Sequence, residues 1–246
     1  MKFIGIIPAR YQSTRFPGKP LAEIKGKPMI QWVYENALKA LEQVWVATDD
    51  DRIYSSVKAF GGKVVKTSPT HQSGTDRCAE AAHIIAADKN EFDVVINIQG
   101  DEPFIKPVQI ETIKSCFKEE GIQIATLVKK IDTREELFNP NRPKVVLDNA
   151  GDALYFSRSV IPFVRGEEKE NWFEKYNYWA HIGMYAFLSN VLQEITQLEQ
   201  TSLELAESLE QLRWLENGYK IRTAETLFQT VGIDTPEDLE KALQLF

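Results

Sequence analysis

Cysteine is scarce: Cys78 and Cys116 are the only two in 246 residues, and they form no CxxC pair. No disulfide framework or thiolate metal site follows from them, and both read as buried thiols on helices. Long apolar runs are missing too; none approaches the roughly 18 residues that span a bilayer. The opening MKFIGIIPAR is broken by Pro8 and Arg10 too early for a signal peptide, so the expectation is a cytoplasmic protein with no membrane partner. There are three histidines, and none falls in a Ser-His-Asp motif. Repeats, linkers and low-complexity segments are absent. Positive charge is in deficit, with a net charge of -7, which argues against a nucleic-acid partner because phosphate backbones recruit basic surface. A few cations focused in one cleft can still hold a small polyanion.

What is present is an ordinary globular mix, 43% hydrophobic and 26% charged, in which short β-rich runs alternate with helical patterns. Phe3 to Ile7 reads as a first strand buried on both faces, apolar except at Gly5. A helix is expected to open at Pro28, with Met29, Val33, Ala37 and Leu41 on one face. Val44 to Ala47, Val64-Val65 and Asp93 to Ile98 read as further strands, with a helix around 76–87 before the last. This rhythm predicts an α/β fold with a mainly parallel central sheet and flanking helices. Ile124 to Val128, Lys144 to Leu147, Ala153 to Phe156 and His181 to Phe187 lack long intervening helices, which predicts a small mixed-strand subdomain. The expected organisation is one domain over 1–246, with 125–200 extending the sheet. Arg165 to Lys175 reads as a mobile loop. A helix over 202–217 is expected from the capping box Thr201/Glu204, the stripe Leu205, Leu209 and Leu212, and Gly218 at its C-cap. The last helix should start at Thr235-Pro236.

The candidate chemistry sits at strand ends, where open α/β sheets bind ligands. Three cations, Arg10, Arg15 and Lys19, share the loop after the first strand. Guanidinium forks suit phosphate oxygens, and an ammonium supplies a movable point charge. The loop is not a Walker A motif, since Ser13 replaces the first glycine and Pro20 the final Ser or Thr. Its bland alternative is a solvated basic loop. Asp101 follows another strand in Gln99-Gly100-Asp101, where Gly100 would let a ligand approach the backbone closely. Asp234 precedes a helix N-cap, where a carboxylate is often only a dipole partner. Together the two suit magnesium, which takes one or two carboxylates plus phosphate oxygens and water. The run Asp49-Asp50-Asp51 competes for that role, but reads better as a strand end and the N-cap of the next helix.

Eight ordered segments carry a family resemblance over nearly the whole chain: IIPARYQSTRFPGKPL at 6–21, VATDD at 46–50, HQSGTDR at 71–77, NIQGDEPFI at 97–105, KVVLDNAGDALYFSRSVIP at 144–162, HIGMYAF at 181–187, LELAESLEQLR at 203–213 and VGIDTPEDL at 231–239. The sequence resembles the 3-deoxy-manno-octulosonate (Kdo) cytidylyltransferases. That resemblance implies a nucleotide-diphospho-sugar transferase-like fold, a homodimer using the 125–200 extension, and magnesium-dependent transfer of CMP from CTP to Kdo for lipopolysaccharide synthesis. It assigns the nucleotide to Pro8, Ala9, Arg10, Arg15, Lys19, Ser73, Gly74, Arg77 and Gln99, and the metal to Asp101 and Asp234. It assigns the acid sugar to Arg158, His181, Tyr185, Glu210 and Gln211. Taken alone, His181 also reads as a satisfied core histidine, and Glu210 and Gln211, adjacent on a helix, need not both face inward. Ala180 departs from the family, where a basic residue is expected. The alternatives are a cytidylyltransferase for 8-amino-Kdo or sialic acid, a glycosyltransferase using the Asp49 run, or a non-catalytic CTP-binding protein.

Overall fold

The run FIGIIPA, apolar along its length, becomes strand β1 (Phe3–Ala9) with five of its seven residues buried, as a strand covered on both faces requires. This is a computed structural model that describes residues 1–13, 15–229 and 232–244. Thr14 and Val231, which belong to two of the family segments, lie outside the described residues. The chain divides into two compact units. The first comprises Met1–Glu111, Met184–Thr196 and Thr230–Phe246, and the second Thr112–Gly183 and Gln197–Gln229.

After β1 the first unit continues through a short hairpin, β2 (Glu23–Ile24) and β3 (Lys27–Pro28), into α1 (Met29–Ala37). Then follow β4 (Val44–Thr48), α2 (Asp51–Ala59), β5 (Val64–Lys66), α3 (Gly74–Ala87), β6 (Val94–Asn97) and α4 (Pro107–Cys116), along which the chain enters the second unit. There it forms β7 (Ile124–Lys130), α5 (Arg134–Phe138), β8 (Lys144–Leu147), β9 (Ala153–Ser157), α6 (Trp172–Lys175) and β10 (Trp179–Leu188). The end of β10 and α7 (Ser189–Ile195) belong to the first unit, α8 (Ser202–Glu207), α9 (Gln211–Glu216) and β11 (Ile221–Glu225) to the second, and α10 (Pro236–Gln244) to the first.

In the first unit β1 is parallel to β4 and β6, β4 is parallel to β5, and the end of β10 runs antiparallel to β6. In the second unit β11 is parallel to β7, while β8 is antiparallel to β9 and to the start of β10. A mainly parallel α/β sheet and a mixed-strand region are what the alternation of runs predicts. Cys78 and Cys116 are both buried, and burial pushes the Cys116 thiol up to about 11, which leaves it protonated and inert. Among the described residues no helix is long and apolar enough to cross a membrane.

Several expectations are corrected. Helix α1 begins at Met29, because Pro28 ends β3, and it stops at Ala37 short of Leu41. The stretch 165–175 is folded: a 3-10 turn at Lys169–Asn171 leads into α6, and Trp172, 4% exposed, packs with Ile131, Leu137, Tyr178 and Ala180. Ala180 is therefore a core position of the second unit. The single helix over 202–217 is two, because Ser208 adopts a left-handed φ of 50° between α8 and α9. Leu205 is exposed, and Glu204 turns inward instead, receiving Arg213 Nε at 2.8 Å and Nη2 at 2.7 Å. An apolar-stripe reading does not anticipate a buried ion pair. Gly218, with φ 83°, does end α9, the amide of Tyr219 donating to the Trp214 carbonyl at 3.0 Å.

Candidate active site

The loop after β1 folds back on itself. Gly18 N–H donates to the Tyr11 carbonyl at 2.8 Å, and a 3-10 turn starts at Lys19. Gly18 has φ 73°, and a Cβ there would lie 3.0 Å from the Tyr11 ring, so both backbone and space demand glycine. The same ring carries Arg52, whose guanidinium carbon lies 3.2 Å from the centroid and which Asp50 holds at 2.6 Å. Asp50 also caps α2, as the sequence predicts, and its bonds to Arg52 hold its carboxyl down at about 2. Tyr11 and Gly18 are thus held together on either side of Arg15.

The segment after β6 approaches this loop closely. A Cβ at Gly100 would lie 3.0 Å from the Pro8 carbonyl, so strand-end packing also demands glycine here, and Gly100 itself lines the cleft. Ile233, fully buried with Ile24 and Met29, anchors the segment carrying Asp234, and its N–H donates to the Asp101 carbonyl at 2.9 Å. Thr235 caps α10 by accepting from Asp238 N–H, and the Asp238 carboxylate returns bonds to the amides of Asp234 and Thr235. Two acids far apart in sequence are thereby brought onto one cation. Lys19 Nζ lies 2.6 Å from Asp101 Oδ2 and 3.1 Å from Asp234 Oδ1, while Arg15 Nη2 lies 3.1 Å from Asp234 Oδ2.

The third wall is the start of α3. Ser73 caps it with a reciprocal box to Asp76, at 3.0 and 3.2 Å. Arg77, one turn on, is 4% exposed; it donates to Thr67 Oγ1 at 2.6 Å and pairs with Asp49 Oδ1 at 2.9 Å.

These walls enclose a cleft of about 750 Å³. All eleven residues that the sequence assigns to nucleotide or metal line it: Pro8, Ala9, Arg10, Arg15, Lys19, Ser73, Gly74, Arg77, Gln99, Asp101 and Asp234. Tyr11, Gln12, His71 and Gln72 line it too and were missed, although all four stand inside quoted segments; His71 is held by Glu80 at 2.5 Å. Asp49 and Thr67 act behind Arg77, and only an aspartate at a strand end signals either of them.

Of the residues assigned to the sugar, Tyr185 belongs to the first unit, where it is buried in register with Asn97 and its ring stacks near Phe187. The other four belong to the second unit. Arg158 donates from Nε to the Glu207 carbonyl at 2.7 Å, and from its terminal nitrogens to Pro140 and Ser208 carbonyls at 3.2 Å. Its own amide reaches the Glu207 carboxylate, and its carbonyl accepts from the buried Lys144, whose three protons meet three carbonyls. His181 Nε2 lies 3.0 Å from Thr126 Oγ1, whose hydroxyl proton goes to the Ile182 carbonyl. The imidazole therefore donates to Thr126, and burial pushes it down to about 3, so it is neutral at physiological pH. Gln211 is buried and its Nε2 has no hydrogen-bond partner among the described residues, whereas Glu210 is part-exposed, 3.9 Å from Arg213.

Residues 4–221 match the family model described as cytidylyltransferase. The 3-deoxy-manno-octulosonate cytidylyltransferase of Parabacteroides distasonis is 62% identical over 99% of this chain and 97% of its own length. Its namesake from Bacteroides thetaiotaomicron is 60% identical over 98% and 97%. Among solved structures, a CMP:2-keto-3-deoxy-manno-octonic acid synthetase complexed with CTP superimposes with a TM-score of 0.90 at 47% identity, covering 100% of this chain and 98% of that one. With identity of this order along the full length and a model match across most of it, the chain belongs to the 3-deoxy-manno-octulosonate cytidylyltransferase family.

Proposed function

We propose that this protein transfers CMP from CTP to the anomeric hydroxyl of Kdo, releasing pyrophosphate, with magnesium as its cofactor. The observation that carries the reading is the convergence of Lys19 with Asp101 and Asp234 at one cleft, in a chain whose relatives are named for this reaction. The donor set fits magnesium: two carboxylates share one cation position, and that ion is ordinarily held by one or two carboxylates with substrate phosphates completing its shell. When bound, it would neutralise phosphate charge and acidify the attacking hydroxyl.

The chain's own residues supply positioning and charge. In the reaction the anomeric oxygen bonds to the α-phosphorus, the bond to the β-phosphate oxygen breaks, and the hydroxyl loses its proton. Lys19 faces the α-phosphate, and Arg10 and Arg15 hold the leaving pyrophosphate. Ser73, Gly74 and Gln99 sit against the nucleoside, with Arg77 braced behind them. On the sugar side, Arg158 receives the carboxylate, and Tyr185, Glu210 and the neutral His181 bond hydroxyls. The unpartnered amide of Gln211 supports that assignment, because a buried donor without a partner is what a ligand oxygen would satisfy. Exposed Leu154, Phe163 and Leu205 in the second unit support a homodimer. The proposed setting is the cytoplasm, feeding lipopolysaccharide assembly.

The test is pyrophosphate release from CTP and magnesium with and without Kdo. Release should require Kdo and stop with EDTA, and Asp101→Asn should lower turnover about 100-fold or more. Release with a nine-carbon acid sugar but not with Kdo would transfer the reading to a different sugar, and near-normal turnover of the Asp101→Asn enzyme at low magnesium would remove the metal assignment.

A further inference from the structure

Two acids and two cations close on one another in the cleft. Asp101 and Asp234 are set by backbone: Ile233 N–H ties the two segments together, and Asp238 pins the amide of Asp234. Arg15, 64% exposed, lies 3.1 Å from the Asp234 oxygen that Lys19 does not hold. Lys19 is the inner cation, 14% exposed, on a side chain with four rotatable bonds. Its ammonium lies between the carboxylates, 2.6 Å from one and 3.1 Å from the other.

We infer that Lys19 makes this cleft select a metal-loaded nucleotide over a bare divalent cation. The inference rests on the reading of Asp101 and Asp234 as metal-holding carboxylates. A cation arriving alone meets acids already neutralised, and the ammonium repels it at close range. A triphosphate changes the balance, because it offers the ammonium another anion. Lys19 then leaves the carboxylates as the metal enters, and the exchange conserves ion pairs. Cation and nucleotide therefore raise each other's affinity by one common factor, as linkage requires.

Mn2+ serves as the probe, with free ion counted by electron paramagnetic resonance, first without nucleotide and then with the unreactive analogue α,β-methylene-CTP. The wild-type protein should bind Mn2+ weakly alone and much more tightly with the analogue. Lys19→Met and Lys19→Gln should each tighten nucleotide-free Mn2+ binding tenfold or more, and adding Asp101→Asn should abolish the gain. If both Lys19 variants stay within twofold of wild type, the inference is overturned. In that case, weaker Mn2+ binding by Asp101→Asn in the analogue complex would still uphold the metal reading. If Asp101→Asn alters neither measurement, both readings fall.

Discussion

At Gln211 the amide nitrogen is buried with no partner among the described residues, a situation that costs about 1–3 kcal/mol. Folding alone would favour an apolar side chain of the same length. Gln211→Met should raise the melting temperature, by about 2–4 °C for each kcal/mol recovered in a chain of this size. The same variant should raise the KM for Kdo about tenfold with the KM for CTP unchanged. Calorimetry and steady-state kinetics on one preparation check both. His181 makes a second prediction. Its folded pKa is depressed to about 3 by burial, from an ordinary 6.5. Between those values the unfolded chain binds a proton that the folded chain does not, so stability falls as pH drops through the window. His181→Asn should flatten that fall by up to about 1.4 kcal/mol per pH unit, as urea unfolding at pH 4 and pH 7 would reveal.

The break between α8 and α9 shows how far element-scale reading reaches. Arg213 and Glu204 are an inward ion pair spanning it, with side chains 10% and 7% exposed. Arg213→Ala should cost about 3–5 kcal/mol in denaturant unfolding, because Glu204 would be left buried and unpaired. The strands around the cleft were legible because two-sided burial writes itself as apolar runs, over Phe3–Ala9 and over the first three residues of Val94–Asn97. Strand β11, IRTAE, was not: only Ile221 is buried, and Arg222 is spent on Asp152 and Glu119. Of the cleft, Arg10, Arg15, Lys19 and Asp101 were legible because they follow strands directly, whereas Ser73, Gly74, Arg77 and Gln99 were assigned only through the family resemblance. What local pattern could not supply was pairing at a distance. Asp49 behind Arg77, the Pro8 carbonyl against Gly100 and the left-handed Ser208 are consequences of the folded chain.

At the scale of the whole molecule, a net charge of -7 coexists with a cleft proposed to hold a triphosphate, because Arg10, Arg15 and Lys19 are concentrated in one loop that lines it. Ligand linkage gives the matching prediction. CTP with magnesium at 100 times its dissociation constant should stabilise the folded cleft by about 2.7 kcal/mol. Where calorimetry resolves two transitions, only that of the unit holding the cleft should move, and CTP with EDTA should move it less.

The cleft unit is stitched from three stretches of chain, and Asp234 lies in the last of them. A ribosome therefore delivers Arg10, Lys19 and Asp101 before the whole of the second unit, and their second acid only after it. Until that third stretch joins the unit, Lys19 faces a single carboxylate, and the cleft acquires its paired acids only when the chain has returned from the second unit.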